Sequence, residues 1–122
     1  MKIATVGKGG SGKTTIAGTL ARIFAQDGRH VLAIDGDPNP NLALTLGMSR
    51  ADADNIIYIP SSVMRQAQGS STGLEPAIPH DEIIKQYATR AADHVDLIVM
   101  GKPAHGSAGS GCMCASHRAV RG

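Results

Sequence analysis

The chain has 122 residues and a formal net charge of +2, with 12 Lys and Arg against 10 Asp and Glu. That length suits one domain, and so small a positive excess argues against a nucleic-acid-binding face, which shows as a basic cluster. No apolar run approaches the roughly 20 residues that span a bilayer, and Met1-Lys2-Ile3-Ala4-Thr5-Val6 turns to glycine too early for a signal peptide. A soluble cytoplasmic protein with neither a nucleic-acid nor a membrane partner is expected.

Residues 3–6 are a short apolar run cut off by Gly7 and read as a buried strand. Residues 7–12 read as a loop. The spacing predicts a helix over 14–27, with Ile16, Leu20, Ile23 and Phe24 forming one apolar stripe. Gly28 stops it as a C-terminal cap. Residues 31–34 are a second buried strand. It runs into Asp35-Gly36-Asp37-Pro38-Asn39-Pro40-Asn41, where two prolines and a glycine force a loop. Asn41 stands where it would cap a short helix through Leu46, closed by Gly47.

Further on, residues 56–59 suggest a short strand, and Ser61 or Ser62 a cap for a helix through Gln68. Residues 69–79 are rich in Gly, Ser, Thr and Pro and read as a loop. Residues 81–92 read as a helix with Ile83, Ile84 and Tyr87 on its apolar face. Residues 95–100 are a third buried strand, 101–111 another glycine-rich loop, and 112–120 the opening of a helix. Strands alternating with helices imply right-handed crossovers and a mostly parallel sheet covered on both faces. Phe24, Tyr58 and Tyr87 are the only aromatic residues, so that core must be aliphatic, as in parallel sheets generally. The last helix has no stop pattern before Gly122, so the single domain spanning 1–122 is expected to be incomplete.

The most specific chemistry lies in Gly7-Lys8-Gly9-Gly10-Ser11-Gly12-Lys13-Thr14. A glycine, four residues and Gly-Lys-Thr, set between an apolar strand and an amphipathic helix, form a phosphate-binding P-loop. Gly9, Gly10, Ser11 and Gly12 let successive N–H groups point at phosphate oxygens. Thr14 and Thr15 belong to the helix start, whose positive end favours an anion. Lys13 reaches the β- and γ-phosphates, and the Thr14 hydroxyl is a magnesium ligand. ATP with Mg2+ is the expected cofactor pair. Lys8, a second lysine inside the loop, has little reason to stand there unless it too meets an anion.

This motif resembles the deviant Walker A of the P-loop family (SIMIBI-type) that includes the nitrogenase iron protein, MinD, ParA and the arsenite-pump ATPase. The resemblance implies an α/β three-layer sandwich. It also implies a homodimer in which Lys8 crosses the interface to phosphates bound by the partner. Asp35 and Asp37 follow the second strand at its C-terminal end, where open α/β sheets bind ligands. A carboxylate there orients a water or holds magnesium through one, although Asp before Gly or Pro is also ordinary turn chemistry. In the resembled family Asp-x-Asp-Pro belongs to the first switch region, and Asp37 matches the aspartate assigned to the attacking water or the magnesium shell. Lys8, Lys13 and Asp37 are thus the implied catalytic set. Residues 95–100 end in Gly101-Lys102-Pro103, without the second carboxylate that P-loop enzymes need. In the family that second-switch Asp and the adenine-gripping residues come later than Gly122.

Cys112 and Cys114 are the only cysteines. With one residue between them they make a poor disulfide framework and suit metal binding or free thiols. A regular helix sets such residues about 200° apart, whereas at a frayed helix start both face one point. Two thiolates are half a tetrahedral site, and a two-fold dimer would supply four for zinc, nickel or an iron–sulfur cluster. His117 is either an extra ligand or a surface histidine. The Gly-Lys-Pro, the glycine-rich loop and Gly-Cys-x-Cys-Ala are similar to the CooC-type ATPases, nickel-insertion accessories of carbon monoxide dehydrogenase and acetyl-CoA synthase. That resemblance implies an ATP-hydrolysing metallochaperone whose dimer holds Ni2+ or Zn2+ between paired Cys112 and Cys114, with carbon monoxide dehydrogenase as client. Two other readings stay open: a ParA- or MinD-like partitioning or positioning ATPase, and a truncated fragment without catalysis.

Overall fold

The computed structural model describes residues 1–37, 39–66 and 74–100 of the chain. In order they form α1 (Lys13–Gln26), β1 (Val31–Asp35), α2 (Leu42–Thr45), α3 (Arg50–Asp54), a 3₁₀ turn (Ser61–Val63), β2 (Met64–Gln66), β3 (Leu74–Pro76), α4 (His80–Tyr87), β4 (Thr89–Arg90), a second 3₁₀ turn (Ala92–His94) and β5 (Val95–Val99).

The sheet that organises the fold runs β1-β5-β4. β1 and β5 pair in parallel, from Val31 with Val95 to Asp35 with Val99. β4 closes the other edge of β5 antiparallel, with Thr89 opposite Leu97, so the sheet is mixed. Past β5, Ile59 bridges Met100 in parallel, and the Met100 N–H donates to the Asp35 carbonyl at 2.9 Å. β2 and β3 make a separate antiparallel pair.

Side chains alternate across a strand, and both faces of β5 are covered. Val95, Leu97 and Val99 pack with Ala33 of β1, Ala21 of α1 and Leu42, Ala43 and Leu46 around α2. On the opposite face Ile98 packs with Ile59 and with Ile83 of α4. A parallel strand buried on both faces reads as a continuous apolar run, which is why 95–100 was legible.

Both expected glycine stops are present. The Arg29 N–H donates to the Phe24 carbonyl at 3.1 Å and the Gly28 N–H to Ala25 at 3.0 Å. The Met48 N–H donates to Ala43 at 3.1 Å and the Gly47 N–H to Leu44 at 3.0 Å. These are the paired bonds of the Schellman motif. α3 carries its own sequence signal: the Ser49 hydroxyl accepts from the Asp52 N–H at 3.1 Å and donates to the Asp52 carboxylate at 2.7 Å. Ser-x-x-Asp is a capping-box pattern.

Several sequence expectations need correction. Residues 3–6 are not a buried strand: they are coil, with Ile3 55% and Val6 73% exposed. A strand exists by pairing, and no described strand pairs with them. The helix expected through Gln68 gives way to Met64–Gln66 as β2, because that segment finds a partner in β3, inside the loop expected over 69–79. The 81–92 helix runs from His80 to Tyr87, because Thr89 and Arg90 pair with β5 instead. Of residues 56–59 only Ile59 makes a bridge. The loop and helix expected over 101–120 lie outside the described residues.

The stripe expected to bury α1 is also displaced. Gly18 and Ala21 are its buried residues, while Ile16 and Ile23 stand half-exposed. Small residues win this face because α2 lies against it. A Cβ on Gly18 would meet the Thr45 methyl at 2.5 Å and the Thr45 Cβ at 3.2 Å. Rotating Thr45 moves its methyl but not its Cβ, and breaks the bond from its hydroxyl to the Asn41 carbonyl at 3.3 Å. At its far end α1 is tied to the second 3₁₀ turn: Arg22 Nε donates to an Asp93 carboxylate oxygen at 2.6 Å, and Gln26 donates to the same oxygen at 3.3 Å.

Two outcomes follow from these contacts. In an exposed helix Gly→Ala would gain about 1 kcal/mol, whereas overpacking costs about 1–3 kcal/mol. Gly18→Ala is therefore expected to lower stability in urea unfolding, with Thr45→Ala restoring part of the loss. The Arg22 hydrogen bond holds the Asp93 carboxyl below its ordinary value of 3.8. A depressed folded-state pKa stabilises above the unfolded value and is lost as pH falls through the folded one. Asp93→Asn should thus be less stable than the parent at neutral pH, and the gap in melting temperature should shrink steadily below about pH 4.

Candidate nucleotide site

A four-residue connection over 27–30 joins α1 to β1, whose residue Ala33 packs against α1. The chain therefore reverses, and the start of α1 lies at the same end of the sheet as the end of β1. The glycine-rich loop leads into α1 and the segment after Asp35 leads into α2, and these two helices touch at Gly18 and Thr45.

The 7–14 loop wraps around one carbonyl. The oxygen of Lys8 accepts from the Ser11 N–H at 3.3 Å, the Ser11 hydroxyl at 2.6 Å and Lys13 Nζ at 2.9 Å. Gly10 and Gly12 adopt φ of +77° and +83°, the left-handed region that L side chains rarely enter. A Cβ at Gly9, Gly10 or Gly12 would meet nothing within 4 Å, so the backbone is open to an approaching group. The first bond inside α1 is from Ile16 N–H to the Gly12 carbonyl at 3.0 Å. The preceding N–H groups at the helix start, those of Lys13, Thr14 and Thr15 among them, have no intrahelical acceptor. The first turn contains no acidic residue, so no carboxylate of the helix's own occupies its positive end. A helix end alone contributes about 0.3–1 kcal/mol toward an anion, so convergent amides and the Lys13 ammonium must supply the rest. This donor set fits a polyphosphate, and Thr14 puts a hydroxyl beside it. Lys8 is exposed.

In the neighbouring loop the two aspartates differ. Asp35 is 7% exposed, and both its oxygens are used: Oδ1 accepts from the Asp37 N–H at 3.1 Å and Oδ2 from the Leu42 N–H at 3.0 Å. Asp37 is half-buried and accepts one bond, from the Asn39 N–H at 2.9 Å on Oδ1. The Asn41 side chain does not cap α2 as expected; it donates to the Asn39 carbonyl at 3.0 Å. Two successive aspartates each bonding the N–H two residues on is Asx-turn chemistry.

Comparison with known proteins gives the chain's family. Residues 2–117 match the CobQ/CobB/MinD/ParA nucleotide binding domain. The chain belongs to that family. It is 40% identical to the carbon monoxide dehydrogenase accessory protein CooC of Rhodospirillum rubrum, over 99% of this chain and 47% of that protein. It is 36% identical to an ATP-binding protein of Methanocaldococcus jannaschii, over 93% of this chain and 44% of that one. Against the chromosome partitioning protein ParA of Caulobacter vibrioides it is 31% identical, over 74% of this chain. The chain spans about half the length of the first two of these relatives.

In this MinD/ParA-type domain the structure brings the P-loop residues and Asp37 to one end of the sheet. Among the described residues no direct hydrogen bond or ion pair joins Asp37 to Lys8 or Lys13. Cys112 and Cys114 lie outside the described residues, among which no group of three or more His, Cys, Asp and Glu is placed to hold a metal. No helix among the described residues is long and apolar enough to cross a membrane. Asp35 thus has the bonds of a turn residue. The sequence signal for these turns is the alternation Asp-x-Asp-x-Asn, in which each carboxylate can reach the amide two residues ahead.

Proposed function

We propose that this nucleotide-binding domain takes ATP with Mg2+ on the 7–14 loop, and that the protein hydrolyses it. The observation that carries the proposal is the open glycine backbone leading into a helix start without a carboxylate, with Lys13 on its first turn. Amides of Gly9, Gly10 and Gly12 and the α1 start would cradle the phosphates, and the Lys13 ammonium would leave the Lys8 carbonyl for them. The Thr14 hydroxyl would hold Mg2+, which supplies charge neutralisation when bound. Hydrolysis then consists of in-line attack by water on the γ-phosphate. Asp37 orients the water and Lys13 stabilises the charge that develops.

The finer reading adds a homodimer in which Lys8 reaches the phosphates of the second copy. Its paired Cys112 and Cys114 would carry Ni2+ or Zn2+ as cargo for a carbon monoxide dehydrogenase. Similarity to CooC over nearly the whole chain supports this reading. A partitioning role of the ParA kind shares the P-loop, Lys8 and Asp37 but leaves the two cysteines without a task.

Equilibrium binding of a fluorescent ATP analogue tests the core of the proposal. Lys13→Ala should weaken binding or hydrolysis at least about 100-fold, and an unchanged Lys13→Ala protein would contradict it. Lys8→Ala should retain nucleotide while losing ATP-dependent dimers in sedimentation. Nickel or zinc titration separates the cargo reading: Cys112→Ser and Cys114→Ser should each abolish stoichiometric binding, and undiminished binding would exclude these thiols.

A further inference from the structure

We infer that Asp35 is a positioning residue that holds Asp37 and the start of α2 in place relative to the sheet end. The inference rests on the hydrolysis proposed above for its functional part and on geometry for the rest.

Asp35 is fixed at both backbone and side chain. Its backbone is the last β1 position, paired with Val99, and its carbonyl accepts from Met100. Its carboxylate is almost fully buried, and each oxygen takes a different amide, one two residues ahead and one seven ahead. Together these bonds close residues 36–41 into a loop whose two ends are gathered on one side chain. The distal end does not float, because Leu42 is 5% exposed in the same core cluster as Ala33 and Val99. Asp37, inside this closure, has its own amide held by Asp35 and one oxygen spent on Asn39.

A carboxylate suits this duty for a chemical reason. It is acceptor-only on two oxygens, whereas an amide offers one acceptor and an N–H₂ group. Asp35→Asn keeps the shape but satisfies one of the two backbone donors and sets its own N–H₂ against the other. A buried carboxylate is also costly unless it is hydrogen-bonded, and hydrogen bonds to charged groups are the stronger kind. Asp35 therefore does not meet the substrate. It transmits the rigidity of the β1–β5 ladder to the segment bearing Asp37. Displacing a catalytic group by about 1 Å costs on the order of 100-fold in rate, and that is the scale on which losing this closure should act.

The test has an arm without variants and an arm with them. In the full chain, the amides of Asp37 and Leu42 should exchange with solvent together, and both more slowly than that of Gly36. Independent behaviour, or exchange of either amide as fast as that of Gly36, would overturn the clamp. Asp35→Asn, checked for an unchanged far-ultraviolet spectrum, should lower kcat for ATP about 10- to 100-fold while KM stays within about twofold. An unaltered kcat, or a loss confined to KM, would overturn the positioning role. Lys13→Ala is measured alongside. If that variant leaves the parent's rate and nucleotide affinity untouched, the hydrolysis reading falls and takes the kinetic half of this inference with it, while amide exchange still decides the clamp.

Discussion

The parallel pairing of β1 with β5 is the constraint on which the site depends. Five residue pairs, Val31 with Val95 through Asp35 with Val99, fix where β1 ends. Because α1 turns back into β1 through four residues, fixing that end also places the start of α1 beside it. Burial supplies the strength: Val95, Leu97 and Val99 are nearly inaccessible, and aliphatic burial of this kind contributes about 1.5–3 kcal/mol per large side chain. Without this ladder the glycine-rich loop and the aspartate loop would be two unrelated turns.

Close approach on one side and polar closure on the other carry the order outward. Gly18 brings α2 against α1, and Asp35 gathers the Asp37 and Leu42 amides. The two devices act on the same short element, one through the absence of a side chain and the other through a carboxylate with two acceptors. In contrast, the 7–14 loop satisfies itself locally around the Lys8 carbonyl. Its bonds are local and exposed, the kind that open at little cost.

Much of this was legible in the sequence where chemistry is local. Gly28 and Gly47 marked helix ends, 31–34 and 95–100 marked buried strands, and the P-loop marked its own position. The failures share a cause, since they depend on partners distant in the chain. Residues 3–6 have the composition of a strand but no described strand to pair with. Thr89 and Arg90 leave the helical pattern only because β5 offers them an edge. The Ile16–Ile23 stripe has the right period, yet α1 buries Gly18 and Ala21, and beside α2 the space at Gly18 admits no larger residue. Asp35 was visible as a turn residue, but its bond to Leu42 spans seven positions and has no local signature.

The proposed account has phosphates bound at the α1 start, with Asp37 acting on them and held in place by Asp35. Mapping backbone amide shifts on adding ATP and Mg2+ tests it most directly. The account predicts the largest changes at Gly9, Gly10, Gly12, Lys13 and Thr14, followed by Asp37, Asn39 and Leu42. Largest changes at the opposite end of the sheet, around residues 27–30 and 92–94, or none at Lys13, would contradict it.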